Sequence, residues 1–161
     1  MDIPTQLAGL DFGRSRLLGI LDTIEKSGQD VRKVLAWRPG PGRAHIGWQA
    51  MHCAASMDRA LNTGFKGGKS QDEAIVAAFG GGSVPSDQNV PELSEIRSKL
   101  ESCYAAFRAY VAGLTPDELT RKLASGRTLA ESIILYTWHE AHHQGQIHLT
   151  WNLYKGSHGI S

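Results

Sequence analysis

The chain has 161 residues, enough for one domain with a proper core. Charged residues are 20% of it and the formal net charge is +1, so no global field selects nucleic acid or a membrane surface as partner. Its two cysteines, Cys53 and Cys103, fall inside apolar helical patterns, which suits reduced buried thiols in a cytoplasmic protein and not a disulfide framework. The start, Met1-Asp2-Ile3-Pro4, lacks the basic and apolar regions of a signal peptide, and no apolar run approaches a membrane span.

Leu7, Leu10, Leu17, Leu18, Leu21 and Ile24 recur at spacings of three and four, which predicts a first helix over about 5–26. Ser27-Gly28 ends it. Residues 30–37 allow a short helix, and Arg38-Pro39-Gly40-Pro41-Gly42 is a breaker. Residues 14–43 are locally basic, but the charges are spread among apolar residues and do not form a nucleic-acid surface.

A second long helix is expected over about 43–61, with His45, Gln49 and His52 on one face. Residues 62–89 form a Gly- and Ser-rich connection, read as a crossover along a bundle. Within it, Ser70-Gln71-Asp72-Glu73 has the form of a capping box opening a short helix through Phe79. Pro91 is placed at the first position of a third long helix, which keeps helical spacing through Leu93, Ile96, Leu100, Tyr104, Phe107 and Val111 to Gly113. Thr115-Pro116-Asp117-Glu118 promises one or two helical turns, and Thr128-Leu129-Ala130-Glu131 opens a last helix reaching Tyr154.

That last helix is apolar on two stripes. Leu129, Ile133 and Tyr136 form one, and Ile134, Trp138 and Ala141 the other, so it should be buried in the bundle or against a second subunit. A homodimer is therefore expected. Gly145 costs about 1 kcal/mol against Ala in a helix, which suggests close approach of another backbone. The tail, 155–161, reads as loose. With no strand alternation anywhere, the expected fold is all-α: a single four-helix-bundle domain over 1–161, with a long crossover between the second and third long helices.

The chemistry concentrates in Trp138-His139-Glu140-Ala141-His142-His143-Gln144-Gly145-Gln146. At about 100° per residue, His139 and His143 stack on one face, one turn apart, where two imidazoles reach a common metal ion. His142 points about 60° aside and is the weaker candidate. The string also satisfies H-E-x-x-H, the zinc-peptidase motif. No Asp or Glu follows His143, and Gly145 and His148 each come one residue too early for the extended motif. A third ligand must come from upstream, where His45 and His52 lie about two turns apart, too far for both to reach one ion.

A histidine in the second long helix, a long crossover, and a final helix with H-x-x-x-H followed by x-G-Q together resemble the DinB/YfiT-like superfamily. The residues are His52 within Trp48-Gln49-Ala50-Met51-His52, and His139, His143, Gly145 and Gln146. Many members have Arg where this chain has Gln144. The resemblance implies a four-helix bundle, frequent homodimers, and a three-histidine site made by His52, His139 and His143. The mid-helix place of His52 also suits a site inside the bundle.

The resemblance also implies members described as metal-dependent hydrolases, relatives that transfer low-molecular-weight thiols to electrophiles and others that isomerise thiol adducts; many members have no known reaction. The expectation is a divalent-metal enzyme, hydrolase or thiol S-transferase, acting on a small molecule. Zinc is the first choice of ion, with nickel, iron or manganese able to occupy the same nitrogens. Gln49, Glu140 and Gln146 are candidates by spacing to orient the rings. The sequence assigns no catalytic side chain. Two alternatives stand beside this reading: a non-catalytic metal-binding bundle with a structural or stress-related role, and a zincin-like peptidase.

Overall fold

A computed structural model describes residues 2–160. Helix α1 spans Ile3–Glu25, capped by Asp2, whose carboxylate accepts from the Thr5 amide at 2.8 Å. The short α2, Val31–Ala36, is capped in the same way by Asp30. Helix α3 covers Ile46–Arg59 and runs on through a π-helical turn, Ala60–Phe65. Then come α4 (Glu73–Phe79), α5 (Leu93–Ala112), one 3-10 turn (Glu118–Thr120) and α6 (Leu129–His158). Among the described residues the only β pairing is an isolated bridge, Lys122 to Thr128, so the fold is all-α.

The four long helices are α1, α3, α5 and α6. Helix α1 packs on α5 and α6, and α3 packs on the same two. Asp11 meets Arg108 and Asp22 meets Arg97, so α1 and α5 are antiparallel. Phe65 packs on Phe107, while Pro91 approaches Gly47 at the other end, so α3 and α5 run the same way. The crossover, with α4 inside it, returns the chain along the bundle to allow this. A β-carbon on Gly47 would come within 3.3 Å of the Pro91 ring and the His45 ring, and within 3.4 Å of the Leu35 carbonyl oxygen, which explains glycine at that crossing.

Several boundaries differ from the expected ones for local reasons. Helix α3 starts three residues late because His45 caps it, its Nδ1 accepting from the Trp48 amide at 3.0 Å. His45 is thereby fully buried, and its Nε2 lies 3.2 Å from the Ser86 carbonyl oxygen. The helix in the crossover is capped by Asp72, not Ser70, since the Asp72 carboxylate accepts from Ile75. Pro91 precedes α5 instead of starting it, with Glu92 as the cap residue.

The Thr128–Glu131 capping box forms in full. The residues expected to form a loose tail instead extend α6 to His158, where Gly159 ends it at φ 65°; Ser161 lies outside the described residues. A β-carbon on Gly145 would meet nothing within 4 Å, so no backbone of the same chain crosses there.

The core has two apolar halves. One gathers Leu17, Ile24, Ile46, Met51, Leu100 and Trp151, and the other Leu10, Leu61, Phe65, Phe107 and Ile133. Along α1 and α6 the buried polar residues Arg14, Glu140 and His143 fall between them, while His52 on α3 sits within the first half. No helix among the described residues is long and apolar enough to cross a membrane.

Candidate metal centre

His52, from the middle of α3, meets His139 and His143 on α6. One ligand-capable nitrogen from each ring lies within 4.8 Å of the others, so the three are placed to bind a metal ion. His52 and His143 are buried and His139 is half-buried, which leaves one side open to solvent. The His52 Nε2 and His139 Nε2 atoms are 3.1 Å apart. The His143 Nδ1 is buried and has no hydrogen-bond partner. Buried polar atoms are almost always partnered, so an orphaned ring nitrogen beside two facing nitrogens fits a cation better than a packed core.

Each ring has its own support. The His52 Nδ1 donates to the Phe79 carbonyl oxygen at 2.6 Å, which leaves Nε2 with its lone pair facing the other two histidines. Trp48, one turn earlier, stacks flat on His52 at 4.6 Å between centroids. Ser56, one turn later, sets its hydroxyl 3.4 Å from the His52 Nε2. Burial, reinforced by the charges of the neighbouring rings, holds the His139 pKa down at about 4 and that of His143 at about 3. Burial also lowers His52. All three are thus neutral near pH 7, the protonation state a ligand needs.

The other candidates lie elsewhere. His45 is occupied as the cap of α3, and the exposed His142 stacks on Trp138 and bonds Gln146 at 2.8 Å. Gln49 donates to the Ala44 carbonyl oxygen. Glu140 pairs with Arg14 at 2.7 Å and is only 3% exposed. Arg14 in turn donates to the Leu100 carbonyl oxygen at 2.8 Å and lies over the Tyr104 ring, joining α1, α5 and α6. A zincin needs the glutamate of H-E-x-x-H free beside the ion as its base. Here that carboxylate is engaged on another face of the helix, and the flanking strands are missing among the described residues.

Sequence reading missed the Phe79 carbonyl, the Trp48 stack, Ser56 and Arg14. Ser56 and Trp48 stand four residues either side of His52, a spacing that could have marked them. The Phe79 contact joins residues 27 apart through backbone and leaves no such mark.

Comparison with curated proteins finds no match. The model of the DinB superfamily matches residues 10–147, a span containing all three histidines and all four long helices in whole or in part. Fold, site geometry and family model agree, and the chain belongs to the DinB superfamily.

Proposed function

We propose that this protein is a metal-dependent enzyme, a hydrolase or thiol S-transferase acting on a small molecule, and that His52, His139 and His143 are the ligands of its divalent ion. The observation that carries the reading is the convergence of three neutral ring nitrogens, one on a half-exposed residue, with no carboxylate among them. A closed structural site has four protein ligands, whereas three leave a position for substrate. A divalent ion bound there supplies Lewis acidity and favours an ionised nucleophile near neutral pH. Zinc suits three imidazoles; nickel, iron or manganese would bind the same set.

The chain's own residues do the rest. The Phe79 carbonyl and the Trp48 face fix the His52 ring, so its lone pair needs little reorganisation to meet an ion. The Ser56 hydroxyl can donate to an oxygen or sulfur held on the open side. The thiols of Cys53 and Cys103 are pushed up by burial, which removes them as nucleophiles.

The test is metal analysis of tag-free protein together with assays on activated esters and on thiol addition to an electrophile. Activity lost with chelator and restored by one divalent metal is expected. A full equivalent of metal without either activity would favour the non-catalytic alternative.

The proposal includes one domain and a homodimer in the cytoplasm. The dimer rests on the outer face of α6, where Ile134, Trp138, Leu149 and Leu153 are exposed, Trp138 by 57%. Gly145 lies on that exposed face with open space above it, where the backbone of a second copy could approach. Trp138→Glu should shift light scattering from dimer to monomer; a wild-type monomer at tens of micromolar overturns this part.

A further inference from the structure

The face of α3 that carries His52 also carries Ser56 and Arg59, four and seven residues further on. Arg59 is exposed and forms no hydrogen bond or ion pair among the described residues. Arg14, Arg38, Arg97 and Arg108 all hold carboxylates. Opposite, on α6, Tyr136 sits 6.3 Å from His139 between ring centroids; burial raises its pKa, and the positive charge of Arg59 works against that. The histidines, Ser56, Tyr136 and Arg59 therefore follow one another along the α3–α6 side of the bundle.

Two of the acids nearby are accounted for. Glu140 is neutralised by Arg14, and Asp58 holds Asn62 and the amides of Gln71 and Asp72. Glu73 shares a groove with Arg59 and Lys69, yet forms no ion pair with either. Three neutral imidazoles add no negative charge, so a bound divalent ion would keep its full charge and the field along this side would be positive.

Resting on the metal-site reading above, we propose that Arg59 anchors the anionic end of this site's ligand. The ligand class is then a small molecule with one donor atom for the metal and a carboxylate or phosphate some distance away. Seven residues of helix rise about 10 Å, and both side chains lean toward the helix start, the longer arginine further, so the two groups are separated by roughly 5–10 Å. The guanidinium fork matches either anion through paired N–H donors.

The probes are a matched pair, 4-mercaptobutyrate and uncharged 4-mercaptobutanol, titrated into cobalt-loaded full-length protein and followed by the thiolate-to-cobalt absorption band. A mercaptoalkyl phosphonate ranks phosphate-like against carboxylate ends. The carboxylate should bind about 10-fold tighter than the alcohol, the size of one charge-assisted hydrogen bond at a partly solvated site, and the advantage should shrink with salt. Arg59→Gln should abolish the preference while leaving cobalt content and alcohol binding unchanged, and Arg59→Lys should restore part of it. Equal binding of the two thiols to wild type, a preference that survives Arg59→Gln, or bound cobalt with no thiolate band would each overturn the proposal without touching the metal site. Failure to take up cobalt at all would overturn the metal-site reading, and this proposal with it.

Discussion

One turn of α6 carries two buried polar arrangements of opposite kind. Glu140 faces Arg14, and that charge pair is matched at 2.7 Å, with the guanidinium also held by a carbonyl and an aromatic face. His139 and His143, on either side in sequence, face His52 with nitrogens that oppose one another or have no partner. The matched pair is complete without a ligand and fixes the rotation of α6. The unmatched trio brings together three ring nitrogens placed to bind a metal ion. In H-E-x-x-H the glutamate would be the reactive residue and the histidines its support; in this bundle the glutamate is paired with Arg14 and the histidines are the group placed to bind a metal ion.

Breaking the trio should have the largest effect. His52→Ala, His139→Ala and His143→Ala should each weaken metal binding by more than the 10–100-fold typical of losing an orienting partner, measured as metal content after equal exposure. The folded state should survive, because each removes a neutral ring whose burial is unfavourable when charged. If His52→Ala keeps a full equivalent, the assignment of the third ligand is wrong.

Breaking the pair should show the reverse pattern. Arg14→Met or Glu140→Leu leaves one buried charge unpaired and should cost about 3–5 kcal/mol in denaturant unfolding. The double variant should regain most of that loss, since an apolar pair of similar volume often replaces a buried ion pair at little cost. A double variant as unstable as either single one would show that Arg14 acts mainly through Leu100 and Tyr104.

The trio also makes the metal-free protein sensitive to acid. Unfolded histidines take up protons near 6.5, whereas folded His139 and His143 resist until about 4 and about 3. The unfolded state therefore binds more protons across that interval, and stability falls as pH drops from about 6.5 toward 4. Urea midpoints at pH 7.5, 6 and 5 should decrease in that order, and the slope should flatten in His139→Ala/His143→Ala. The smallest effect belongs to His45. His45→Ala should leave metal content unchanged but lose about 1 kcal/mol, because it removes a helix cap.

The sequence was legible wherever a feature is local. The four long helices follow from apolar spacing, the start of α6 from Thr128 and Glu131, and the pairing of His139 with His143 from one helical turn. His52 came from its mid-helix place and the family pattern, not from spacing alone. Features between distant segments were not legible. His45 reads as an exposed residue near a breaker until the Ser86 carbonyl is folded over it. Arg14 reads as one more charge on α1 until Glu140 arrives from the far end of the chain. The last turn of α6 is not legible either: Lys155, Gly156 and Ser157 look like a tail locally, yet Trp37 packs on Tyr154 and His158 and gives that turn something to rest on.

The stack of Trp48 on His52 gives the protein an optical reporter of its own site. The indole lies nearly parallel to the imidazole, with the planes 10° apart and the centroids 4.6 Å apart. Of the other three tryptophans, Trp138 stacks on His142, Trp151 stacks on Tyr154, and Trp37 meets Tyr154 edge-on. Loading with a paramagnetic ion such as nickel or cobalt should quench part of the tryptophan emission, and loading with zinc should shift it without quenching. Trp48→Phe should remove most of that response while metal uptake continues. A dissociation constant could then be read from unlabelled protein in a cuvette, before any substrate is known.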